Sequence, residues 1–383
     1  MKKKVLIINT KYTIFGGEDA NIQQEINLLS SEYEINYLEF NNTKYINFTD
    51  LLAFVTRSNY KSNKTLKKHL ADFKPDLVYV HNTWYKANLG IFKILFKENI
   101  TTVLKIHNFR YDCTRYFLSR NHLRKSEVCN KCGYKKVKNN LFNKYFQDSY
   151  IKSFFVILYG KKYFKILNNK LLKIVVLNKF HKEYLEQVGI NQQVHIISNP
   201  LKPHSISKNE YNPESLDVVY AGQISKQKGV DKLLDAWNRF QKNNLVLNII
   251  GKIVDEDLIE NTKNENIVYL GEKSNIETIN IISKSRAVIT TTKMFEGQPR
   301  LLSEASILGI PSIYPSFGGM DEYFPIDYEF KFTQFDYEDL LLKLNKLHNT
   351  KLLTKASTDV IKNYNLKFNN NKNLEKIKKV FEL

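Results

Sequence analysis

Several features that define common protein classes are missing from this sequence of 383 residues. It contains no GxGxxG fingerprint and no Walker A loop, so neither the usual dinucleotide site nor a P-loop is expected. No apolar run approaches the length of a membrane span, and the N-terminal run Val5–Ile8 is too short for a signal peptide. Cysteine is scarce, with three residues in all. We therefore expect a cytoplasmic protein whose cysteines are reduced.

Acidic residues are also scarce relative to basic ones, and the imbalance is local. The formal net charge is +19, and 18 lysines and arginines but only 3 acids lie between positions 110 and 182. Such a basic region indicates an anionic partner, which nucleic acid, a phosphorylated substrate or an anionic lipid would each provide. A general bias towards lysine and asparagine is the simpler alternative, but it does not explain the shortage of acids in this segment.

The chain does have the composition of a folded protein and the length of two domains. Hydrophobic residues make up 43% and charged residues 25% of the sequence. Short apolar runs that alternate with amphipathic segments predict α/β structure with parallel sheets in both halves. The polar stretch 201–216 between the halves is typical of a linker. We place an N-terminal domain at 1–200, a C-terminal domain at 201–365, and a helical segment at 366–383 that packs back towards the N-terminal domain.

The individual elements follow from hydrophobic periodicity. The predicted strands are 5–9, 34–40, 77–81, 102–107, 173–177 and 194–198 in the first half, and 217–221, 246–250, 267–270, 287–291 and 311–314 in the second. The predicted helices include 88–97, 180–187, 230–243, 276–283, 300–308 and 337–347. In open parallel sheets, ligands bind beyond the carboxyl ends of the strands, so the loops that follow strands are the candidate sites.

Three of these loops carry paired glycines or glycine with lysine. Gly16-Gly17 follows the first strand and Gly318-Gly319 follows the last, and both pairs allow backbone N–H groups to approach a ligand. The loop Gly222–Gly229 has lysines between its terminal glycines, which suits a phosphate cradle. Ordinary turns and solvated lysines are the structural alternatives for all three loops.

The segment from Phe295 to Ala305 carries the most specific chemistry. Pro299 fits the first turn of a helix, so Arg300 lies near the helix N-terminus, where a cation opposes the helix dipole. That placement becomes favourable when an anion docks on the free N–H groups. Glu296 in the loop and Glu304, one turn after Arg300, would then hold the two sugar ends of a nucleotide-sugar. A surface Arg300–Glu304 pair is the alternative.

The order and spacing of these segments resemble those of retaining glycosyltransferases of family 4, which have the GT-B fold. Glu296 to Glu304 resembles the family's E-x7-E motif, and Gly222 to Gly229 resembles its GR-x-x-x-x-KG loop. Matching signals also occur at Gly16-Gly17, Asn199-Pro200, Gly309-Ile310-Pro311 and Gly318-Gly319. The resemblance covers nearly the whole chain. It implies two Rossmann-like domains whose parallel sheets face each other across a cleft, the first binding the acceptor and the second binding a nucleotide-sugar.

The resemblance also implies roles for individual residues. Glu304 would bond the ribose hydroxyls, Glu296 would bond the sugar hydroxyls, and Lys228 would neutralise the departing diphosphate. His107, at the end of a first-domain strand, would lie near the reaction centre, so the implied catalytic residues are Glu296, His107 and Lys228. The implied donor-binding residues are Gly17, Gly222, Gln223, Lys228, Gly297, Gln298, Pro299, Arg300, Leu301 and Glu304.

One position departs from the family pattern, because the family has arginine where this chain has Gln223. We hypothesise that Arg300 replaces that phosphate-binding cation. Cations and a helix N-terminus stabilise the charge of the leaving diphosphate, so no metal or other cofactor is expected for catalysis.

The implied reaction moves a hexose-type sugar, from a UDP-sugar by preference, to a lipid-linked or saccharide acceptor with retention of configuration. Its implied setting is the synthesis of a bacterial surface polysaccharide or glycoconjugate.

The three cysteines are close together in the sequence, and two of them have the C-x2-C spacing of zinc sites. Cys113, Cys129 and Cys132, with His107 or His122, are candidate ligands of a structural zinc. Free cysteines that simply pack in a core are the alternative.

The segment 141–172 interleaves phenylalanine and tyrosine with lysine. This pattern suits the surface of an anionic membrane, and a lipid-diphosphate acceptor would favour a peripheral position on the inner face of the cell membrane. The same pattern also suits single-stranded nucleic acid, or helices packed on a sheet with solvated lysines.

Two other functions are compatible with parts of the sequence. A nucleotide-sugar epimerase would share the α/β architecture, but the segment 296–304 disfavours it. A basic nucleic-acid-binding protein is suggested by charge alone. No recognition helix, RNA-binding signature or zinc-finger pattern supports that reading, so no nucleic-acid partner is expected.

Overall fold

The structure, a computed structural model, describes most of the chain in two compact units. The described residues are 2–12, 17–43, 48–116, 129–131, 149–201, 210–240, 244–260, 264–367 and 370–382. One unit consists of Met1–Pro200 with Asn370–Leu383, and the other of Leu201–Asn369. Half of the expected linker 201–216 lies outside the described residues, which resume at position 210.

The first unit is built on a parallel sheet of six strands. These are β1 (Lys4–Lys11), β2 (Glu34–Asn41), β3 (Leu77–Val80), β4 (Thr101–Lys105), β5 (Leu172–Val176) and β6 (Val194–Ile196). Their order across the sheet is β2-β1-β3-β4-β5-β6. The central strands are buried on both faces because helices cover both sides of the sheet. The order reverses between β1 and β3, which is the position where such sheets bind ligands.

Helices of the first unit connect these strands. They are α1 (Gly17–Leu29), α2 (Phe48–Thr56), α3 (Tyr60–Phe73), α4 (Gly90–Lys97), α5 (Arg110–Cys113), α6 (Tyr150–Leu167) and α7 (Lys179–Gln187). The starts of several helices are fixed by side-chain caps, such as Asn59, which accepts a hydrogen bond from the N–H of Ser62 ahead of α3.

The second unit repeats the same architecture with a different strand order. Its strands are β7 (Asp217–Ala221), β8 (Val246–Ile250), β9 (Ile267–Gly271), β10 (Ala287–Ile289), β11 (Ser312–Ser316) and β12 (Lys331–Thr333). All neighbours are parallel in the order β12-β11-β10-β7-β8-β9. This is the doubly wound order of nucleotide-binding sheets, with its reversal between β7 and β10.

The helices of the second unit cover both faces of this sheet. They are α8 (Val230–Arg239), α9 (Asp257–Glu260), α10 (Asn275–Ile282), α11 (Arg300–Leu308), α12 (Tyr337–Asn345) and α13 (Thr350–Lys367). Helix α11 ends at Gly309, whose φ of +74° is the left-handed conformation that glycine adopts without strain.

The last helix, α14 (Asn370–Glu382), returns to the first unit. Its buried residues Ile377, Val380 and Phe381 join the core beneath β1 and β3. The ring of Phe381 contacts those of Tyr33 and Tyr79 edge-on, with centroids 5.4 and 5.3 Å apart. Burial of this apolar stripe explains why a lysine-rich amphipathic segment folds here as a helix.

The predicted fold class is confirmed, since two α/β sheets with only parallel neighbours occur. Six elements lack a counterpart in the predictions, namely α2, α3, α5, α9, α13 and β12. Strand β10 ends at Ile289, two residues earlier than expected, which lengthens the loop that follows it. Among the helices that the structure describes, none combines the length and the apolar character needed to cross a membrane.

Candidate active site

The strand order of the second unit brings two sequence-distant loops together. Strands β7 and β10 are parallel neighbours at the reversal point, so the loops at their carboxyl ends leave the same edge of the sheet. These loops are 222–229 and 290–299, the same two segments that carry the candidate phosphate cradle and Glu296.

Lys228 and Glu296 meet where these two loops converge. Lys228 Nζ lies 2.6 Å from Glu296 Oε1, and the hydroxyl of Thr292 donates to the same oxygen at 3.2 Å. The side chains of Lys228 and Glu296 are both partly open to solvent. A cation and an anion 68 positions apart in sequence are therefore held together at the carboxyl ends of β7 and β10, where a ligand can reach both.

Gly229 makes this approach of the two loops sterically feasible. Its φ is +73°, and a Cβ added at this position would lie 1.9 Å from the carbonyl oxygen of Thr291. The hydroxyl of Thr291 donates to the carbonyl oxygen of Gly229 at 2.8 Å. Only glycine fits such a close approach at a left-handed backbone, and Lys228 is its immediate neighbour.

Helix α11 presents its amino end next to Glu296. Pro299 occupies the N-cap position, directly before the first helical residue, and its carbonyl oxygen accepts the N–H of Ser303 at 3.0 Å. No side chain within the described part of the chain caps this helix end. Its first N–H groups and its positive dipole end are suited to receive an anion.

Glu304 lies on α11 and is held by two donors. Arg300 Nε donates to Glu304 Oε1 at 2.7 Å, and Asn275 Nδ2, from the start of α10, donates to the same oxygen at 3.1 Å. The Glu304 side chain is only 5% exposed. The Arg300–Glu304 pair that was the alternative interpretation is therefore present, but it is partly buried rather than at the surface, and it fixes the carboxylate.

The remaining glycine loops of the second unit have packing roles. A Cβ at Gly251, whose φ is +142°, would lie 1.9 Å from the carbonyl oxygen of Gly222. A Cβ at Gly318 would lie 2.8 Å from Cδ1 of Phe295. The Tyr323 hydroxyl donates to the carbonyl oxygen of Gly297 at 2.9 Å. The pair Gly318-Gly319 thus supports the loop that carries Glu296.

Gln223, at the position that departs from the family pattern, has an exposed side chain. Its carbonyl oxygen accepts the Tyr220 hydroxyl at 2.8 Å. Arg300, the suggested replacement, is directed onto Glu304. Its hypothesised role towards phosphate therefore remains a prediction.

Sequence reasoning misses one acidic pair in the same region. Asp255 and Asp257 have an Asp-x-Asp spacing, which places two carboxylates close together in sequence. In the structure Asp255 accepts the backbone N–H of Lys226 at 2.7 Å, and Asp257 lies 2.5 Å from the ammonium of Lys226. These contacts hold the loop 222–229 in place.

The first unit has its own pocket at the carboxyl ends of β3 and β4. It is small, opens to solvent, and is lined by Glu18, His81, Asn82, Thr83, Trp84, Lys105, Ile106, His107, Asn108, Arg110, Thr114, Tyr159 and Tyr163. The expected residue His107 is therefore at a pocket. Gly17 begins α1, whereas Gly16 lies outside the described residues.

The floor of this pocket contains a buried ion pair. Lys105 Nζ donates to both carboxylate oxygens of Glu25 at 2.9 Å, and both side chains are almost completely buried. The Tyr79 hydroxyl donates to Glu25 Oε1 at 3.0 Å. Sequence analysis did not identify this network, because a lysine in a strand is normally predicted to be exposed to solvent.

Glu18 and Arg110 stand at the wall of the same pocket. Burial raises the pKa of Glu18 to about 7, although the charge of Arg110 acts in the opposite direction. The guanidinium of Arg110 lies over the rings of Tyr12 and Trp84, 5.4 and 5.3 Å from their centroids. Sequence reasoning placed Glu18 in the loop after the first strand but gave neither residue a role.

The zinc hypothesis is untested by the described residues. Cys113 and Cys129 are buried and pack against each other. Within the described ranges no group of three or more histidine, cysteine or acidic residues is arranged to hold a metal. Cys132 and His122 lie outside those ranges, and so do positions 141–148 of the aromatic and basic segment.

A family of known sequences matches the second unit along almost its whole length. Residues 202–366 match the family described as Glycosyl transferases group 1. Among curated proteins, the amylovoran biosynthesis glycosyltransferase AmsD of Erwinia amylovora is 29% identical over 149 residues, or 37% of this chain and 42% of that protein. The chain thus matches less than half the length of this relative.

Solved structures resemble the whole chain. Sucrose-phosphate synthase from Thermosynechococcus elongatus has a TM-score of 0.73 at 13% identity, over 100% of this chain and 98% of that one. HepE from Anabaena, in complex with UDP and glucose, has a TM-score of 0.70 at 13% identity, over 99% of both chains. At this identity the likeness shows the fold, which is the GT-B type with two Rossmann-like domains.

Proposed function

We propose that the chain is a glycosyltransferase that takes a sugar from a nucleotide-diphosphate sugar bound by its second unit. The observation that carries this proposal is the meeting of Lys228 and Glu296 at the reversal point of the second sheet. One loop supplies a cation for phosphate, and the other supplies a carboxylate for sugar hydroxyls. The match of residues 202–366 to group 1 glycosyl transferases supports this assignment.

The electrostatics suit the loss of a diphosphate. When the bond between the sugar and the diphosphate breaks, the leaving group gains negative charge. The Lys228 ammonium exchanges its bond to Glu296 for a phosphate oxygen, and the amino end of α11 adds a second positive field. Glu296 is then available to accept hydrogen bonds from the sugar hydroxyls. No metal ion or other cofactor is required for this step.

Glu304 is the residue that we assign to the ribose. Arg300 and Asn275 both donate to Oε1. Among the described residues no donor reaches Oε2, so this oxygen can accept a hydroxyl. A carboxylate whose rotamer is already fixed binds a ribose diol with little further loss of entropy.

The finer features of the reaction rest on resemblance. The spacing of Glu296 and Glu304 resembles that of retaining enzymes, so we propose retention of configuration. HepE was solved with UDP and glucose, which favours a UDP-hexose donor for this chain. AmsD takes its name from amylovoran biosynthesis, which favours a bacterial polysaccharide or glycoconjugate as the product. The acceptor, a saccharide or a lipid-linked sugar, would bind the first unit.

An anionic membrane surface is the second partner that we propose. Helices α2 and α6 pack together through the rings of Phe54 and Tyr159, 5.5 Å apart. Both helices expose large apolar side chains, Phe48 at 78% and Ile151 at 71%. Helix α6 also carries four lysines and no acid. Apolar side chains with lysines suit an interface with anionic lipid.

Co-sedimentation with vesicles should rise with the fraction of anionic lipid, and equal binding to neutral vesicles would contradict the proposed membrane partner.

A thermal-shift panel of nucleotides tests the main proposal. Nucleoside diphosphates and their sugar derivatives should raise the melting temperature, because a ligand at 100 times its Kd stabilises the folded state by about 2.7 kcal/mol. Release of nucleoside diphosphate from the bound sugar donor should then be measurable. Stabilisation by NAD and sugar interconversion without release would instead indicate an epimerase. Full turnover after neutralising both Lys228 and Glu296 would overturn the proposal.

A further inference from the structure

Two histidines of the first unit share one hydrogen bond at the pocket. His81 follows β3 and His107 follows β4, and these strands are parallel neighbours. His81 Nδ1 lies 3.0 Å from His107 Nε2, and the ring planes differ by 23°. His81 is 3% exposed, whereas His107 is only partly buried and lines the pocket.

The environment of both imidazoles disfavours their charged forms. Burial, followed by the charge of Lys105, holds the pKa of His81 well below its usual range. Burial does the same for the pKa of His107, with His81 and Lys105 acting in the same direction, Glu25 opposing them, and the more distant His181 adding to the decrease. Two neutral imidazoles that share a hydrogen bond must divide the roles, since one ring donates and the other accepts.

The surroundings of His81 decide which ring donates. His81 Nε2 is buried and has no hydrogen-bond partner among the described residues. If His107 donated, His81 would carry its proton on Nε2, and a buried N–H would be left without an acceptor. If His81 donates from Nδ1, its Nε2 is a bare acceptor. A buried N–H without an acceptor is rarer, and destabilises the folded state more, than a buried unprotonated nitrogen without a donor.

We propose that His81 is a positioning residue that fixes His107 in the tautomer protonated on Nδ1. His107 then accepts the Nδ1–H of His81 on its Nε2, which leaves Nδ1–H as its remaining polar group. Among the described residues no protein group bonds this nitrogen. His107 therefore offers the pocket a neutral N–H donor for an oxygen ligand, such as a sugar hydroxyl or a phosphoryl oxygen. It does not offer a basic nitrogen.

The buried pair below the histidines supports the same assignment. Lys105 is the last residue of β4, two positions before His107. Its ammonium donates to both oxygens of Glu25, and the Tyr79 hydroxyl also donates to this carboxylate. The Tyr79 ring lies against His81, with centroids 4.6 Å apart. This packing excludes water from His81 and places the Lys105–Glu25 pair, rather than an unpaired acid, near both rings. An imidazolium at either position is thereby disfavoured, and the tautomer is determined by hydrogen bonding alone.

Nitrogen NMR of the full chain labelled with 15N-histidine tests this inference directly. Protonated and bare ring nitrogens have distinct shifts, and His81→Gln and His107→Gln assign the two rings by loss of their signals. His69→Gln, on α3, is a control that should leave both patterns unchanged. We expect Nδ1 to be protonated and Nε2 bare in both rings. Protonation of His107 on Nε2 in the unsubstituted chain would overturn the inference.

Variants at position 81 separate positioning from simple packing. His81→Phe fills the space but cannot donate, so His107 should move towards the tautomer protonated on Nε2, and kcat should fall about tenfold through the loss of one hydrogen bond to the ligand. His81→Asn keeps an N–H donor at the position of Nδ1 and should restore both the tautomer and most of the activity. An unchanged His107 tautomer in His81→Phe would contradict the role of His81.

The pocket ligand in this inference depends on the proposed function, but the tautomer does not. The affinity of the second unit for UDP should stay within about twofold in all position 81 variants, since they do not touch the loops that meet at Lys228 and Glu296. If UDP and UDP-sugars fail to bind the unsubstituted chain while the tautomer is as expected, the proposed function fails and the assignment of His81 stands.

Discussion

Arg300 and Glu304 form a hydrogen-bonded pair one helical turn apart, in which the arginine is an internal clamp for the buried carboxylate. Arg300 Nε lies 2.7 Å from Glu304 Oε1. A cation in the first turn of a helix is unfavourable by itself, because it opposes the helix dipole. Its placement here is explained by the acid that it holds, together with the anion that the helix end is proposed to bind.

Glu304→Gln should weaken donor binding while leaving the fold intact. Gln has the same shape, but it loses the charge that attracts Arg300 and bonds ribose hydroxyls. A hydrogen bond to a charged group contributes about 1.5–3 kcal/mol, so the Kd of UDP should rise at least about tenfold. Titration calorimetry measures this change. Glu338→Gln, on α12 and paired with Arg239 at the surface, is the control and should leave the Kd unchanged.

Arg300→Ala distinguishes two roles of Arg300, which are holding the Glu304 carboxylate and binding phosphate. If Arg300 binds phosphate, the substitution should weaken UDP more than uridine, and the loss should persist when Glu304 is already glutamine. If Arg300 acts only by holding Glu304, Arg300→Ala should cause no further loss of UDP affinity when Glu304 is already glutamine. Affinities of UDP and uridine for the two single variants and the double variant decide between these outcomes. Unchanged donor affinity and turnover in Arg300→Ala would reject the cation hypothesis.

Lys228→Met should lower the rate more than the affinity. The ammonium stabilises charge that develops as the diphosphate leaves, so kcat should fall about 100- to 1,000-fold, with a smaller change in KM. Lys226→Met, in the same loop, is the matched control because Lys226 is held by Asp257. Steady-state assays with saturating acceptor measure both constants. Equal losses in the two variants would show that the loop, rather than the Lys228 charge, is what matters.

Much of the fold could be predicted from the sequence because its elements are locally specified. The predicted helix 300–308 and the predicted strands 217–221 and 246–250 have the same bounds in the structure. Buried parallel strands read as short apolar runs, and Gly309 marks the end of its helix. Strand β12 was missed because it is a three-residue edge strand, whose pairing with β11 depends on tertiary contacts.

The site was only partly predictable, because its chemistry depends on long-range register. Glu296, Lys228, Glu304 and His107 could be named from motif spacing. The partners that set their behaviour could not. His81 and His107 meet because β3 pairs in register with β4, and Lys105 finds Glu25 across 80 positions. Such contacts are created by strand order, which no local pattern contains.

Glu18 should make the stability of the first unit depend on pH. Burial raises its pKa from 4.5 to about 7, so between these values the folded chain holds a proton that the unfolded chain releases. Stability from this group is therefore present below pH 4.5 and is lost as the pH rises through 7. Glu18→Gln, which cannot ionise, should match the unsubstituted chain near pH 4.5 and melt at a higher temperature at pH 8.

The expected gain at pH 8 is about 1–3 kcal/mol, or a few degrees in Tm. Scanning calorimetry at the two pH values measures it. Glu98→Gln, at the exposed end of α4, is the control and should shift the Tm equally at both pH values. A Glu18→Gln difference that does not change with pH would contradict a buried, titrating carboxyl at this position.

Gly229→Ala should damage both stability and catalysis, because two penalties coincide there. The left-handed backbone at φ +73° costs an alanine about 1–2 kcal/mol, and the added Cβ would lie 1.9 Å from the Thr291 carbonyl oxygen. The loop must therefore move, and Lys228 moves with it away from Glu296. Gly271→Ala is the matched control in the same unit, since its φ is +70° and nothing lies within 4 Å of the added Cβ. Melting temperatures should fall clearly further for Gly229→Ala, and only that variant should also lose kcat. If the two variants lose equal stability and keep equal activity, the close contact between the loops after β7 and β10 does not hold Lys228 in place.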